Sequence, residues 1–274
     1  IGLSVLAPTS VEKMSVQAGL SPVAIDTDKR LPVLPSPLDF DYQALQLDAL
    51  YVETRLGYVA DVENLKQLGV PIIEDISEGL GGNTGSVKAG SVGEMTVVAL
   101  EPEHIITAGG GAAVLSNNTR RISALSGMVD ERIGEPPLPD MNAALGITQL
   151  KQIERFIERR REVAGRFVKT VQRGAYRVPF QGGEEENVFF ALPIVIDGSP
   201  REVEKYARGH GVSVRRAFVD TVLSSYSEAD AEDDATRGFP NAFAFSSQIV
   251  LFPVYPTLTK SEAERVERVL ATLP

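Results

Sequence analysis

Chemistry in this sequence has few places to start. The apolar stretch Pro71-Ile72-Ile73 runs into an acidic pair, Glu74-Asp75. If the stretch is a strand of an open α/β sheet, its carboxyl end is where ligands gather, and a carboxylate there can meet a cationic ligand atom. The plain structural alternative is that Asp75 caps the next turn or pairs with an arginine, and spacing alone favours it. Only two histidines occur, His104 and His210. An imidazole titrates near neutrality and can carry a proton, although a lone loop histidine is ordinarily just a tolerated polar residue. His210 stands beside Gly211 at an expected helix end, where partial positive charge suits the helix dipole, and it is assigned no function. Glycine-rich stretches lie at 79–85, 90–93 and 109–111. None has the Gly-Lys-Ser/Thr of a phosphate loop or a Gly-x-Gly-x-x-Gly between strand and helix. Singly, they read as tight turns.

Composition narrows the field. The 274 residues contain no cysteine, so there is no disulfide framework, thiolate nucleophile or Cys-ligated zinc. Two histidines exclude a multi-histidine metal site, and no metal is expected. With 27 Lys+Arg against 37 Asp+Glu the net charge is −10, which argues against a nucleic-acid partner. No apolar run is long enough to span a membrane, and the cytoplasm is the expected location. The opening run from Ile1 to Pro8 has no basic flank and stops at the proline, so it reads as a buried strand rather than a signal segment. Because residue 1 is not Met, the chain is expected to lack its natural beginning.

The elements that must position these groups follow from hydrophobic patterning. Apolar runs at 3–7, 23–26, 49–53, 70–74, 96–100 and 112–116 are continuous rather than alternating, as in strands covered on both faces. Residues 61–68 place Val62, Leu65 and Leu68 on one helical side. This alternation predicts a layered α/β domain over 1–139. From Asn142 to about Val171 the steps between Ile147, Leu150, Ile153, Ile157, Ala164, Phe167 and Val171 trace one helix face. A single long connecting helix over 140–172 is expected, with Glu154, Glu158, Arg159 and Arg161 on its solvated side. A smaller α+β domain over 173–274 follows. It has a strand at 188–196, a helix opened by a Ser199/Glu202 capping box and ended at Gly211, and a last helix opened by Thr259/Glu262. The acidic run 228–234 reads as a solvated loop.

The order of these motifs is more specific than any one of them. Glu74-Asp75, Gly81, Gly90-Ser91-x-Gly93, a β run, then Ile106-Thr107-x-Gly109-x-Gly111 resembles the DegT/DnrJ/EryC1/StrS group of PLP-dependent sugar aminotransferases. Gly57-Tyr58-Val59-Ala60-Asp61 is similar to that family's glycine–alanine–aspartate turn. The segment 142–150 with Arg159-Arg160-Arg161 is similar to its long-helix signature, and 252–259 to its closing strand and helix start. The resemblance runs from near residue 1 to the C-terminus. It implies the fold-type I aminotransferase fold, a large mostly parallel α/β domain with a smaller C-terminal α+β domain.

The resemblance also implies a cofactor, PLP or PMP, and a set of positions to hold it. Asp75 matches the aspartate that pairs with the pyridinium nitrogen and keeps the ring an electron sink. Glu78 stands where a Gln or His lies against the cofactor. Ala99 stands where a serine binds the phosphate. Glu12 is the nearest match by spacing to the aromatic that stacks on the ring. His104 falls at the Schiff-base lysine, and a sugar-dehydratase branch of the family has histidine there as a general base. The family's Thr-Gly-Glu-Gly-Gly becomes Ala108-Gly109-Gly110-Gly111-Ala112, its Asn-Tyr-Arg-Met becomes Glu135-Pro136-Pro137-Leu138, and its N-terminal phosphate-binding turn would precede Ile1. Three functions are therefore weighed. The leading one is a non-catalytic scaffold with a degenerate cofactor site that binds a nucleotide-sugar or a partner subunit. The second is a PLP- or PMP-dependent sugar-modifying enzyme with His104 as base. The third is ordinary transamination through a displaced lysine, for which Lys88 is nearest. The fold type further implies a homodimer, with the long helix and the loop near Glu135 close to the partner.

Overall fold

A computed structural model of the chain describes residues 1–131, 138–174, 176–179, 187–229 and 238–274, with no side-chain description at 130 and 227–229. Six of its strands form the main sheet: β1 (Gly2–Ser4), β2 (Val23–Ile25), β3 (Leu50–Glu53), β4 (Ile72–Asp75), β7 (Met95–Ala99) and β8 (Ala112–Leu115). A hairpin of β5 (Asn83–Thr84) and β6 (Val87–Lys88) lies between β4 and β7 in sequence. The sheet order is β2-β1-β3-β4-β7-β8, parallel except for the last, antiparallel pair. Its strands are the apolar runs expected from sequence, shifted by a residue or two. The first is cut short. Pairing stops at Ser4, whose Oγ accepts the Leu6 N–H at 3.1 Å, while residues 5–7 stay buried as a turn. Register sets Glu53 opposite Asp75 and Asp75 opposite Val97, so Glu53 and Asp75 stand side by side at the carboxyl ends of β3 and β4, and Ala99 ends β7 just beyond Val97.

Short helices α1 (Thr9–Gln17) and α2 (Val62–Lys66) return the chain between strands, and α3 (Thr119–Asp130) follows β8. Asp61 and Asn118 cap the last two through their side chains. The single long helix expected over 140–172 is instead two, α4 (Asp140–Leu150) and α5 (Ile153–Val171). The chain leaves helical geometry at Gln152, with φ −112° and ψ 10°. The stripes on either side do not serve one face. On α5, Ile157, Val163, Ala164, Phe167 and Val171 are buried, whereas Ile147 and Leu150 of α4 are 55% and 49% exposed. Gln149 instead ties α4 to the main domain, accepting from Thr107 N and donating to Thr107 O.

The second sheet is antiparallel, ordered β10 (Arg215–Arg216), β11 (Ile249–Phe252), β9 (Leu192–Val195). Its core includes residues of α5, α6 (Pro200–Gly209) and the last helix, α9 (Lys260–Ala271). Only 192–195 of the expected 188–196 strand is paired. Asn187 Oδ1 accepts the Phe189 N–H and Phe189 adopts φ +51°, which turns the chain before the ladder begins. The Thr259/Glu262 capping box forms, whereas the expected one at Ser199 does not; that side chain makes no cap bond and the residue is exposed. Two further helices, α7 (Val222–Ala229) and α8 (Pro240–Gln248), belong to the C-terminal third. Yet Ala217, Phe218, Val222, Leu223 and Ala242 join the core of the main sheet, and Leu223 N bonds Val5 O. The acidic run 228–234 lies outside the described side chains, as does Glu135.

Candidate cofactor and ligand site

Asp75 ends β4 with both carboxylate oxygens engaged. Oδ1 accepts from Ser77 N at 2.9 Å and Ser77 Oγ at 2.5 Å, and Oδ2 accepts from Tyr51 Oη at 2.6 Å. Ser77 Oγ in turn accepts the Ala99 N–H at 2.8 Å. So Asp75 and Ala99 are brought together, through a serine. The turn-capping alternative for Asp75 is thus present in the structure. Burial, then the charges of Asp75 and Glu53, hold the Tyr51 phenol well above its ordinary pKa, so it stays a donor.

Beside this chain of bonds lies a cluster of charges. Arg55 Nη1 is 3.3 Å from Glu78 Oε1, and Arg55 Nε is 3.7 Å from Glu53 Oε1. Glu78 Oε2 also accepts the Leu56 N–H at 2.6 Å. The Arg55 guanidinium lies over the Phe218 ring at 5.3 Å. Glu53 is fully enclosed. Burial pushes its carboxyl up to about 8, against the lowering effect of Arg55. For Arg55, burial works to lower the pKa, but Glu78 and Glu53 raise it and the net shift is upward. The other acid of the pair, Glu74, is structural. It accepts from Gly90 N, Val92 N and Gly93 N and so shapes the 90–93 turn.

His104 stands apart from that network. It is half-buried on the wall of a cleft of about 680 Å³ that is also lined by Phe156, Arg160, Phe190, Arg215 and Tyr255. Its Nδ1 is buried without a hydrogen-bond partner, and its ring centroid is 6.0 Å from that of Phe190. Glu12 faces elsewhere: its carboxylate accepts from Ser225 Oγ of α7 at 3.4 Å. His210 bonds its own helix at Tyr206 O. Lys13, Lys29, Lys66, Lys88, Lys151, Lys169, Lys205 and Lys260 are all the lysines of the chain, and every one is exposed. Among the described residues no group of three or more His, Asp or Glu is placed to hold a metal ion, and no helix is long and apolar enough to cross a membrane.

Sequence reasoning did not single out Tyr51, Glu53, Arg55, Ser77, Arg160 or Arg215. Two signals were available. Asp-x-Ser after a strand is a turn in which the serine bonds back to the carboxylate. Arg160 falls three residues after Ile157 and four before Ala164, so it sits on the buried face of α5.

A family model, the DegT/DnrJ/EryC1/StrS aminotransferase family, matches residues 9–271. The chain belongs to this family. Among curated members, it is 30% identical over 131 residues to UDP-4-amino-4,6-dideoxy-N-acetyl-beta-L-altrosamine transaminase of Campylobacter jejuni subsp. jejuni. That match takes in 42% of this chain and spans only 35% of the relative's length. GDP-perosamine synthase of Vibrio cholerae is 20% identical, with 97% of this chain and 81% of that protein covered. Among solved structures, an aminotransferase of the family from Brucella abortus superposes with a TM-score of 0.82 at 17% identity, over 98% of this chain and 78% of that one. Spr1654 of Streptococcus pneumoniae in its PLP form gives 0.81 at 16% identity, over 98% and 79%. The fold is therefore the fold-type I aminotransferase fold, and the family's homologues include sugar transaminases.

Proposed function

We propose that this family member is a sugar-aminotransferase scaffold whose cofactor site has become structural, and that its cleft binds a nucleotide-sugar or a partner subunit without transamination. One observation carries the reading: Asp75, the residue retained from the family's cofactor set, already takes three donors from its own fold. A carboxylate offers about four acceptor sites, so three of those of Asp75 are taken by the fold and one, on Oδ2, is left for a pyridinium N–H. Around it Glu78 is held by Arg55 and Leu56, Ala99 has no hydroxyl for a phosphate, and His104 cannot form an imine. The exposure of Lys88, and of the other lysines, offers no replacement. This donor set does not fit PLP. Losing two or three polar contacts at about 1–3 kcal/mol each removes roughly 1.5 to 6 decades of affinity. PLP or PMP added to the purified chain is expected to cause no change in absorbance or fluorescence and no thermal shift. Saturable binding that vanishes in Asp75→Asn overturns the proposal.

A second reading keeps a PLP- or PMP-dependent sugar-modifying enzyme with His104 as general base. One observation favours it, the unpartnered Nδ1 of His104 at the cleft wall. The same titration decides between the two.

The proposal includes a homodimer. Its support is the apolar surface left open on α4, where Met141 is 82% exposed and Leu145, Ile147 and Leu150 about half. Light scattering is expected to give twice the chain mass, and Ile147→Glu to give a monomer. A monomeric parent chain would end this part of the proposal.

A further inference from the structure

The cleft beside His104 contains a charge with no counter-charge. Arg160 is 3% exposed, and its Nη1 donates to three backbone carbonyls, Phe189 O at 3.1 Å, Phe190 O at 3.1 Å and Val254 O at 2.6 Å. These bonds fix the guanidinium but use only one nitrogen. Its Nε is buried with no partner, and among the described residues no carboxylate stands within ion-pair distance of it. Burial pulls its pKa down to about 10, so at neutral pH it remains a cation. A buried unpaired charge is costly, and proteins ordinarily pair it.

The same cleft supplies two more groups suited to an anion. Arg215 is half-exposed, with its guanidinium 5.9 Å over the Phe190 ring and Nη1 3.0 Å from Glu103 Oε2. His104 brings its unpartnered Nδ1. Glu103 is the one carboxylate among the described lining residues, and it stands at the rim, 69% exposed. Phe156, Phe190 and Tyr255 add aromatic surface. A volume of about 680 Å³ falls within the usual range for a small-molecule site.

We propose that this cleft binds a small ligand through a compact oxyanion, phosphate or carboxylate, seated against Arg160 with Arg215 and His104 beside it. The inference rests on the cleft being the ligand site and is independent of whether PLP binds. The balance is favourable because the ligand's charge neutralises a cation whose desolvation cost is already met in the fold. The three carbonyl bonds also hold the guanidinium in place before binding, so little side-chain freedom is lost.

Calorimetry and thermal shift with four probes test this: inorganic phosphate, acetate, UMP and uridine. UMP is expected to bind at least tenfold more tightly than uridine, with phosphate or acetate competing according to which oxyanion the cleft prefers. Arg215→Ala and His104→Ala, both at partly exposed positions, are each expected to weaken UMP about tenfold while the fold, read by circular dichroism, is kept. Arg160→Lys keeps the charge but loses the planar fork, and is expected to weaken UMP in a chain that still folds. Equal affinity for UMP and uridine, with no effect of Arg215→Ala or His104→Ala, overturns the oxyanion while leaving the cleft as a ligand site. Binding of none of the four probes overturns both.

Discussion

Replacing Arg55 by methionine is expected to lower unfolding stability by about 3 kcal/mol, the low end of the cost of breaking a buried ion pair. At neutral pH the buried Glu53 carboxyl, with its pKa near 8, is mostly protonated, so the cation is balanced chiefly by Glu78. Removing it leaves the Glu78 carboxylate with the Leu56 N–H as its one hydrogen bond among the described residues, in a site where its side chain is 17% exposed. The Phe218 ring loses its cation as well. Residual access of water to Glu78 keeps the expected loss from the upper end of the range. The double variant Arg55→Met/Glu78→Leu is expected to recover most of it, because a buried pair replaced by apolar side chains is often neutral. Urea unfolding of the parent, the single and the double variants measures this. A single variant within about 0.5 kcal/mol of the parent would show that the cluster contributes nothing to stability.

The pH dependence of stability carries the second large effect. The Glu53 carboxyl is near 8 in the folded chain and near 4.3 when unfolded. Below the unfolded value both states are protonated and the group has no effect. As pH rises, the unfolded chain ionises first, so stability is progressively lost until the folded pKa is reached. At about 1.4 kcal/mol per pKa unit, the loss between pH 4.5 and 8 is on the order of 4 kcal/mol. Glu53→Gln cannot ionise, so its stability advantage over the parent is expected to grow by about 1 kcal/mol per pH unit across that window. Parallel denaturation series from pH 5 to pH 8 measure it. A difference between the two proteins that does not change with pH would show that Glu53 ionises normally. Since Arg55 lowers the Glu53 pKa, Arg55→Met is expected to extend the window upward.

Both effects sit at the carboxyl ends of β3 and β4, where the family places its cofactor. Sequence pointed there through Asp75, whose residue type after an apolar strand is a local signal. It did not reveal the occupant. Glu53 and Arg55 follow an apolar run without any spacing that marks them, and their partner Glu78 is 23 residues from Arg55. The cleft was legible only through His104, which was marked by its position in the family pattern. Arg160 was hidden inside a run of three arginines that reads as solvated charge until the helix phase is counted residue by residue.

What the sequence determined alone was the layered α/β plan, the approximate extent of its strands and the membership of the family. Those depend on hydrophobic period and motif order, which are local or nearly so, and burial on both faces leaves a continuous apolar run wherever the strand lies in the sheet. Tertiary structure decided the rest. It broke the expected long helix at Gln152, because α4 is tied to Thr107 and α5 to the small sheet. It gave the Asp75 carboxylate to Tyr51 and Ser77, and left Arg160 without a counter-ion at the cleft. The physical reason is that a buried polar group takes whatever donor or acceptor the packed elements bring within about 3 Å. That choice is made by strand register and helix docking, which no single stretch of sequence records.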